Sequence, residues 1–117
     1  MAQSVVIEQD GTIRIDGFDP KDVLKYLQSV VDGYIEPVGL GDGLTMWVNE
    51  DGLYRSDLKP NDYAGLLGAM RRGMMSHLVG NVVITRDDED GNTVSLTEGD
   101  VKHLVTILEG LKREIML

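Results

Sequence analysis

The chain has 117 residues, 42% of them hydrophobic and 26% charged, and no cysteine. That length gives one domain, residues 1–117, with a core large enough to stand without staples, and the missing thiols exclude disulfides, thiolate metal sites and cysteine nucleophiles. The net charge of −9 argues against direct contact with nucleic acid, which needs clustered Lys and Arg; the acids are read as a solvated surface, or as one that copies DNA or draws a basic partner.

Ser4–Glu8 and Thr12–Asp16 are β-prone and flank Asp10-Gly11, a strong hairpin signal because Gly accepts positive φ. Asp19 and Pro20 predict a helix start, and Val23, Leu24, Leu27, Val30 and Val31 recur at helical spacing. Gly33 is placed to end that helix. Tyr34–Val38 predicts a strand in which Pro37 marks an edge or a bulge. Asp42-Gly43 predicts a turn, Leu44–Val48 a strand, and Asn49–Gly52 a further turn, with Leu53–Arg55 continuing the meander.

A helix is predicted over Asn61–Arg72, with Tyr63, Leu66, Leu67 and Met70 facing inward. Gly65 and Gly68 weaken it by about 1 kcal/mol each relative to Ala, unless something packs closely against them. Met74, Met75, His77 and Leu78 lead irregularly into a strand at Val82–Arg86. The acidic loop Asp87–Gly91 and a partner strand at Thr93–Leu96 follow. Thr97 and Asp100 predict the cap of a last helix, on which Val101, Leu104, Leu108, Leu111 and Ile115 recur at heptad-like spacing. That stripe suits core packing or a homodimer equally. The first and last thirds echo one another as strand, Asp-Gly turn, strand, helix, by duplication or by convergence on a simple unit. The fold class expected is α+β: an antiparallel sheet built from hairpins, with two or three helices packed on one face.

No chemistry-bearing pattern stands out. His77 and His103 lack metal-ligand spacing. Asp87–Gly91 resembles half a calcium loop, but Arg86 and Thr97 occupy positions where ligands belong, so an acidic hairpin tip is the simpler account. Gly39–Gly43 lacks the Lys-Ser/Thr of a phosphate loop. Glu36 and Glu50 flank the central strands and are the pair to inspect for acid–base work. Trp47 lies opposite the face formed by Leu44, Met46 and Val48; its partner is another part of the monomer, a second subunit or a ligand. No cofactor or metal is expected, and no membrane contact: there is no long apolar run and no leader-like N-terminus. The expected location is cytoplasmic.

Gly33-Tyr34-Ile35-Glu36, Asp42-Gly43-Leu44, Met46–Gly52 and Gly80–Thr85 resemble an uncharacterised domain-of-unknown-function family of small phage, plasmid and actinobacterial proteins. The similarity covers roughly residues 30 to 98; after Gly52 the chain departs from it, with Pro60-Asn61 where relatives tend to carry Asn-Pro. The resemblance implies an accessory protein of a bacteriophage or mobile element and no activity. The function expected is therefore non-enzymatic binding of a host or phage protein through Tyr34, Glu36, Trp47, Asn49, Glu50 and Arg55. The alternative is a small-ligand, perhaps nucleotide, binder, with Arg55 or Arg14 aimed inward near Trp47 and Tyr34.

Overall fold

The computed structural model describes residues 1–73 and 77–115, with no side chain described at Ile115. The elements are β1 (Ala2–Ile7), β2 (Ile13–Phe18), α1 (Val23–Val31), β3 (Ile35–Gly41), β4 (Leu44–Asn49), α2 (Asp62–Arg72), β5 (Val82–Asp87), β6 (Thr93–Val94) and α3 (Glu98–Ile115). All strand pairs are antiparallel, in the order β2-β1-β5-β4-β3, with β6 on the end of β5. The α+β class and the antiparallel sheet are thus as the sequence predicts.

Glycine turns close the hairpins, with Gly91 at φ +84 in the β5–β6 turn. Gly11 takes φ +94 in the β1–β2 turn. In the β3–β4 turn Asp42 and Gly43 both have positive φ, 57 and 78, which matches the right-handed twist of the flanking strands. Pro37 lies on an edge strand, and the register shifts between Gly39 and Gly41. The predicted strand at Thr93–Leu96 is shorter than expected. Only Thr93 and Val94 pair with β5; the chain then changes partner, and the Leu96 amide donates to the Gln3 carbonyl.

The helices do not share one face. Val5, Ile7, Met46, Val82 and Ile84 point into a core closed by Tyr63, Ala64 and Leu67 of α2 and Val101, Leu104 and Leu108 of α3. On the opposite face Val6 and Val83 meet Leu27, Val30 and Val31 of α1. Two helices, α2 and α3, thus pack on one face, here the lower, as the sequence predicts, and α1 adds a second layer on the other. The physical reason is that β1 and β5 are apolar on both sides: Val5, Val6, Ile7, Val82, Val83 and Ile84 are all fully buried. The echo between the two ends of the chain is an echo of element order alone, since α1 and α3 lie on opposite faces.

Other differences are local. Leu53–Arg55 does not extend the meander; Gly52–Tyr54 forms a 3-10 turn, held where buried Gly52 meets Val79. Asp19 and Pro20 open a short 3-10 turn that feeds α1. Asp32 rather than Gly33 takes the left-handed conformation after α1. On α2 the buried residues are Tyr63, Ala64, Gly65, Leu67 and Gly68, while Met70 is exposed. The small residues turn inward so that the helix sits close to the sheet. The link at Met74 and Met75 lies outside the described residues, as does the Ile115 side chain.

Gly68 has room for a methyl group: an added Cβ would stand 3.9 Å from the Met46 methyl, an ordinary contact. Gly68→Ala is therefore expected to raise the unfolding free energy by about 0.5–1 kcal/mol. Urea midpoints read this directly, and a lowered midpoint would show that α2 lies tighter on β4 than the geometry indicates.

Candidate functional site

Alternation along β4 sends Leu44, Met46 and Val48 into the lower core and Thr45, Trp47 and Asn49 toward α1. α1 is nine residues long, about 13 Å, too short to cover a five-strand face. It seals Val6 and Val83 but leaves Trp47 and Ile35 only partly buried. Beside it runs an open groove of about 500 Å³, lined by Val23, Leu24, Leu27, Ile35 and Trp47 and by the turn Gly91–Thr93. The Trp47 indole nitrogen donates to Thr85 Oγ1 at 2.8 Å. Its polar atom is satisfied from within, so the ring offers the groove hydrocarbon.

Acids neighbour two of the segments that line this groove in sequence. Asp19 and Asp22 flank the Pro20 turn, and Asp88, Glu89 and Asp90 lie in the turn that carries Gly91 and Asn92. Lys21 and Lys25 are the nearby bases in sequence. Asp88 is bound up in its own turn: its carboxylate accepts from the backbone amides of Asp90 and Asn92. The Asn92 amide bond is the main reason its pKa is lowered. This loop is a hairpin tip, and among the described residues no cluster of three or more His, Asp or Glu could hold a metal.

The six residues singled out by sequence separate into different roles. Trp47 alone lines the groove. Glu36, Asn49 and Glu50 line a second, shallow depression of about 80 Å³ with Leu53 and exposed His77. That brings the two inspected acids together, but in a volume fit for a water or two, well below the several hundred Å³ of a substrate pocket. Asn49 is buried and structural: its Nδ2 donates to the Val31 and Asp32 carbonyls and its Oδ1 accepts from the Asp51 amide. Tyr34 is exposed and precedes the groove residue Ile35.

Arg55 is engaged elsewhere. It donates to both carboxylate oxygens of Asp57 and to the carbonyl and carboxylate of Asp32. Those bonds, Asp57 first, raise its pKa, and the same contact brings Asp57 down to about 2. Arg14 is paired with Glu8 and Asp16. Neither supplies a free cation beside Trp47. The groove residue that sequence reading placed wrongly is Leu24. It was expected on the buried stripe of α1, yet it is 58% exposed. The stripe is already complete with Leu27, Val30 and Val31, so one surplus leucine was the signal.

The profile of a domain of unknown function, DUF3846, matches residues 2–109. The chain belongs to this family. DUF3846 membership spans all the strands and most of α3, so the groove, the shallow depression and both edge strands are parts of the family's domain. No curated protein and no solved structure matches the chain. Among the described residues no helix is long and apolar enough to cross a membrane.

Proposed function

We propose that this DUF3846 protein is a non-enzymatic binding protein of a bacteriophage or mobile element, acting in the host cytoplasm by contact with another protein. The observation that carries the reading is the Trp47 groove: an open channel lined by Val23, Leu24, Leu27, Ile35 and Trp47 and by the polar turn Gly91–Thr93, with acids next to those segments in sequence. It suits a segment of a partner that buries a few apolar side chains while placing Lys or Arg against Asp19, Asp22 and the Asp88–Asp90 turn. The mobile-element origin rests on the resemblance of the Gly33–Gly52 block to phage and plasmid proteins. A small anionic ligand such as a nucleotide finds less support, because Arg55 and Arg14 are both committed to carboxylates.

Leu24→Glu tests this with little effect on folding, since the side chain is already exposed. The unmodified protein and the variant are used as baits in a lysate of the natural host. The expected result is a partner retained by the unmodified protein, released by raised salt and lost by Leu24→Glu, with thermal midpoints of the two baits within a few degrees. Recovery of the same proteins by both baits would remove the groove from the working surface.

A further inference from the structure

The two edges of the sheet are not alike. β3 is guarded: Pro37 lacks an N–H, and the strand is bulged between Gly39 and Gly41. β2 carries neither device. It pairs with β1 in unbroken register from Ile13 to Phe18. The Glu8 amide donates to the Thr12 carbonyl, so Glu8 and Thr12 are a hydrogen-bonded pair. Alternation then turns the amides and carbonyls of Arg14, Asp16 and Phe18 toward β1. Those of Ile13, Ile15 and Gly17 point outward, and among the described residues no other backbone group bonds them; only the Asp16 carboxylate lies near the Gly17 amide.

The geometry points to a symmetric dimer in which β2 pairs antiparallel with β2 of a second copy about a two-fold axis at Ile15. In that register Ile15 faces the partner copy's Ile15 and exchanges both hydrogen bonds with it, and Ile13 exchanges two with the partner copy's Gly17 at each end. Arg14 falls opposite the partner copy's Asp16, and Asp16 opposite its Arg14. Charge order along β2 is therefore self-complementary at the closely spaced non-hydrogen-bonded positions. A register shifted by two residues loses this match. Ile15 is 53% exposed on the α3 side and would be covered by its own symmetry mate. Such an interface is isologous and closes at two copies, because each copy's other edge is blocked by Pro37. The stripe on α3 is not available for the same task, since Val101, Leu104 and Leu108 are buried in the monomer.

Sedimentation or light scattering over a concentration series tests this on the full chain. The unmodified protein is expected to be a dimer. Ile15→Pro deletes the outward N–H without touching the β1 ladder, and should weaken association about thirtyfold by removing two hydrogen bonds per dimer. Arg14→Asp and Asp16→Arg each place like charges opposite one another and should also be monomeric. Mixing these two variants restores opposite charges at both positions and should restore a mixed dimer. Circular dichroism confirms that each variant is folded; the Ile15→Pro result stands if Asp16→Arg, which loses its contact with Tyr26, is not. A monomer at every concentration overturns the inference, and so does an edge that binds only an extended peptide of another protein. A dimer indifferent to Ile15→Pro overturns it equally.

Discussion

Asn61→Ala is expected to cost about 3 kcal/mol. Asn61 is buried, and it ties three segments at once. Its Nδ2 donates to the Ile7 carbonyl at the end of β1 and to the Gly80 carbonyl just before β5. Its Oδ1 accepts from the Ala64 amide and so caps α2. Alanine would leave the Gly80 carbonyl and one helix amide without this partner, and would strip the Ile7 carbonyl, which also faces Val82 in the ladder, of its second donor. The cap accounts for about 1 kcal/mol, and the unpartnered Gly80 carbonyl with the lost second bond to Ile7 for the remainder. Asn61→Asp is an instructive companion. It keeps the cap acceptor but turns a carboxylate toward two carbonyl oxygens, so at neutral pH it should be at least as damaging. Urea midpoints at constant slope read both variants. A loss under about 1 kcal/mol for Asn61→Ala would mean that water replaces the amide at these three groups.

Acid should destabilise the protein through Asp100, and Asp100→Asn should blunt that effect. Asp100 accepts from Nε and Nη2 of Arg86 at 2.7 and 2.6 Å, and from the Thr97 amide. The Thr97 hydroxyl in turn accepts from the Asp100 amide, a reciprocal cap at the start of α3. The Arg86 bonds are the main reason the Asp100 carboxyl lies well below its ordinary value. A depressed folded-state pKa contributes stability that is complete above the unfolded value of about 3.9. That contribution is lost as pH falls from there through the folded value, because the unfolded chain takes up a proton that the folded one refuses. Asp100→Asn should cost about 1–2 kcal/mol at pH 7, allowing for water at the partly exposed Arg86. It should also flatten the decline in urea midpoint between about pH 5 and pH 2. If the two proteins lose stability in parallel across that range, Asp100 is not the carboxylate that sets acid sensitivity.

The hairpins were legible because Asp-Gly turns carry their own mechanism: Gly11 and Gly43 do adopt the positive φ that those positions demand. The cap at Thr97 was legible for the same local reason, whereas Asn61, read as the first helical residue, is the cap that precedes α2. The side of the sheet on which each helix lies was harder. Helical period shows which face of α1 is buried but not which face of the sheet receives it. The clue lay in β5, where Val82-Val83-Ile84 is apolar without alternation, as a strand covered on both sides requires. The site was only partly visible. Trp47 was correctly set opposite the Leu44–Met46–Val48 face. Arg55 seemed free for a ligand because Asp32, 23 residues away, comes near it only in the folded chain. Glu36 and Glu50 meet through strand register, which pairs Glu36 with Val48 and so brings Glu50 close.

The position of β5 has a consequence for how the chain reaches its native state. β5 lies between β1 and β4, so the first hairpin and the second share no border until residues 82–87 arrive. A nascent chain made only as far as α2 holds two small ribbons, each with one side of its backbone ladder unfilled. Assembly waits on pairing Val5 with Ile84, a closure across most of the sequence. Such non-local closure slows refolding. The interval before it is when the Val82–Ile84 segment most needs shielding from other chains.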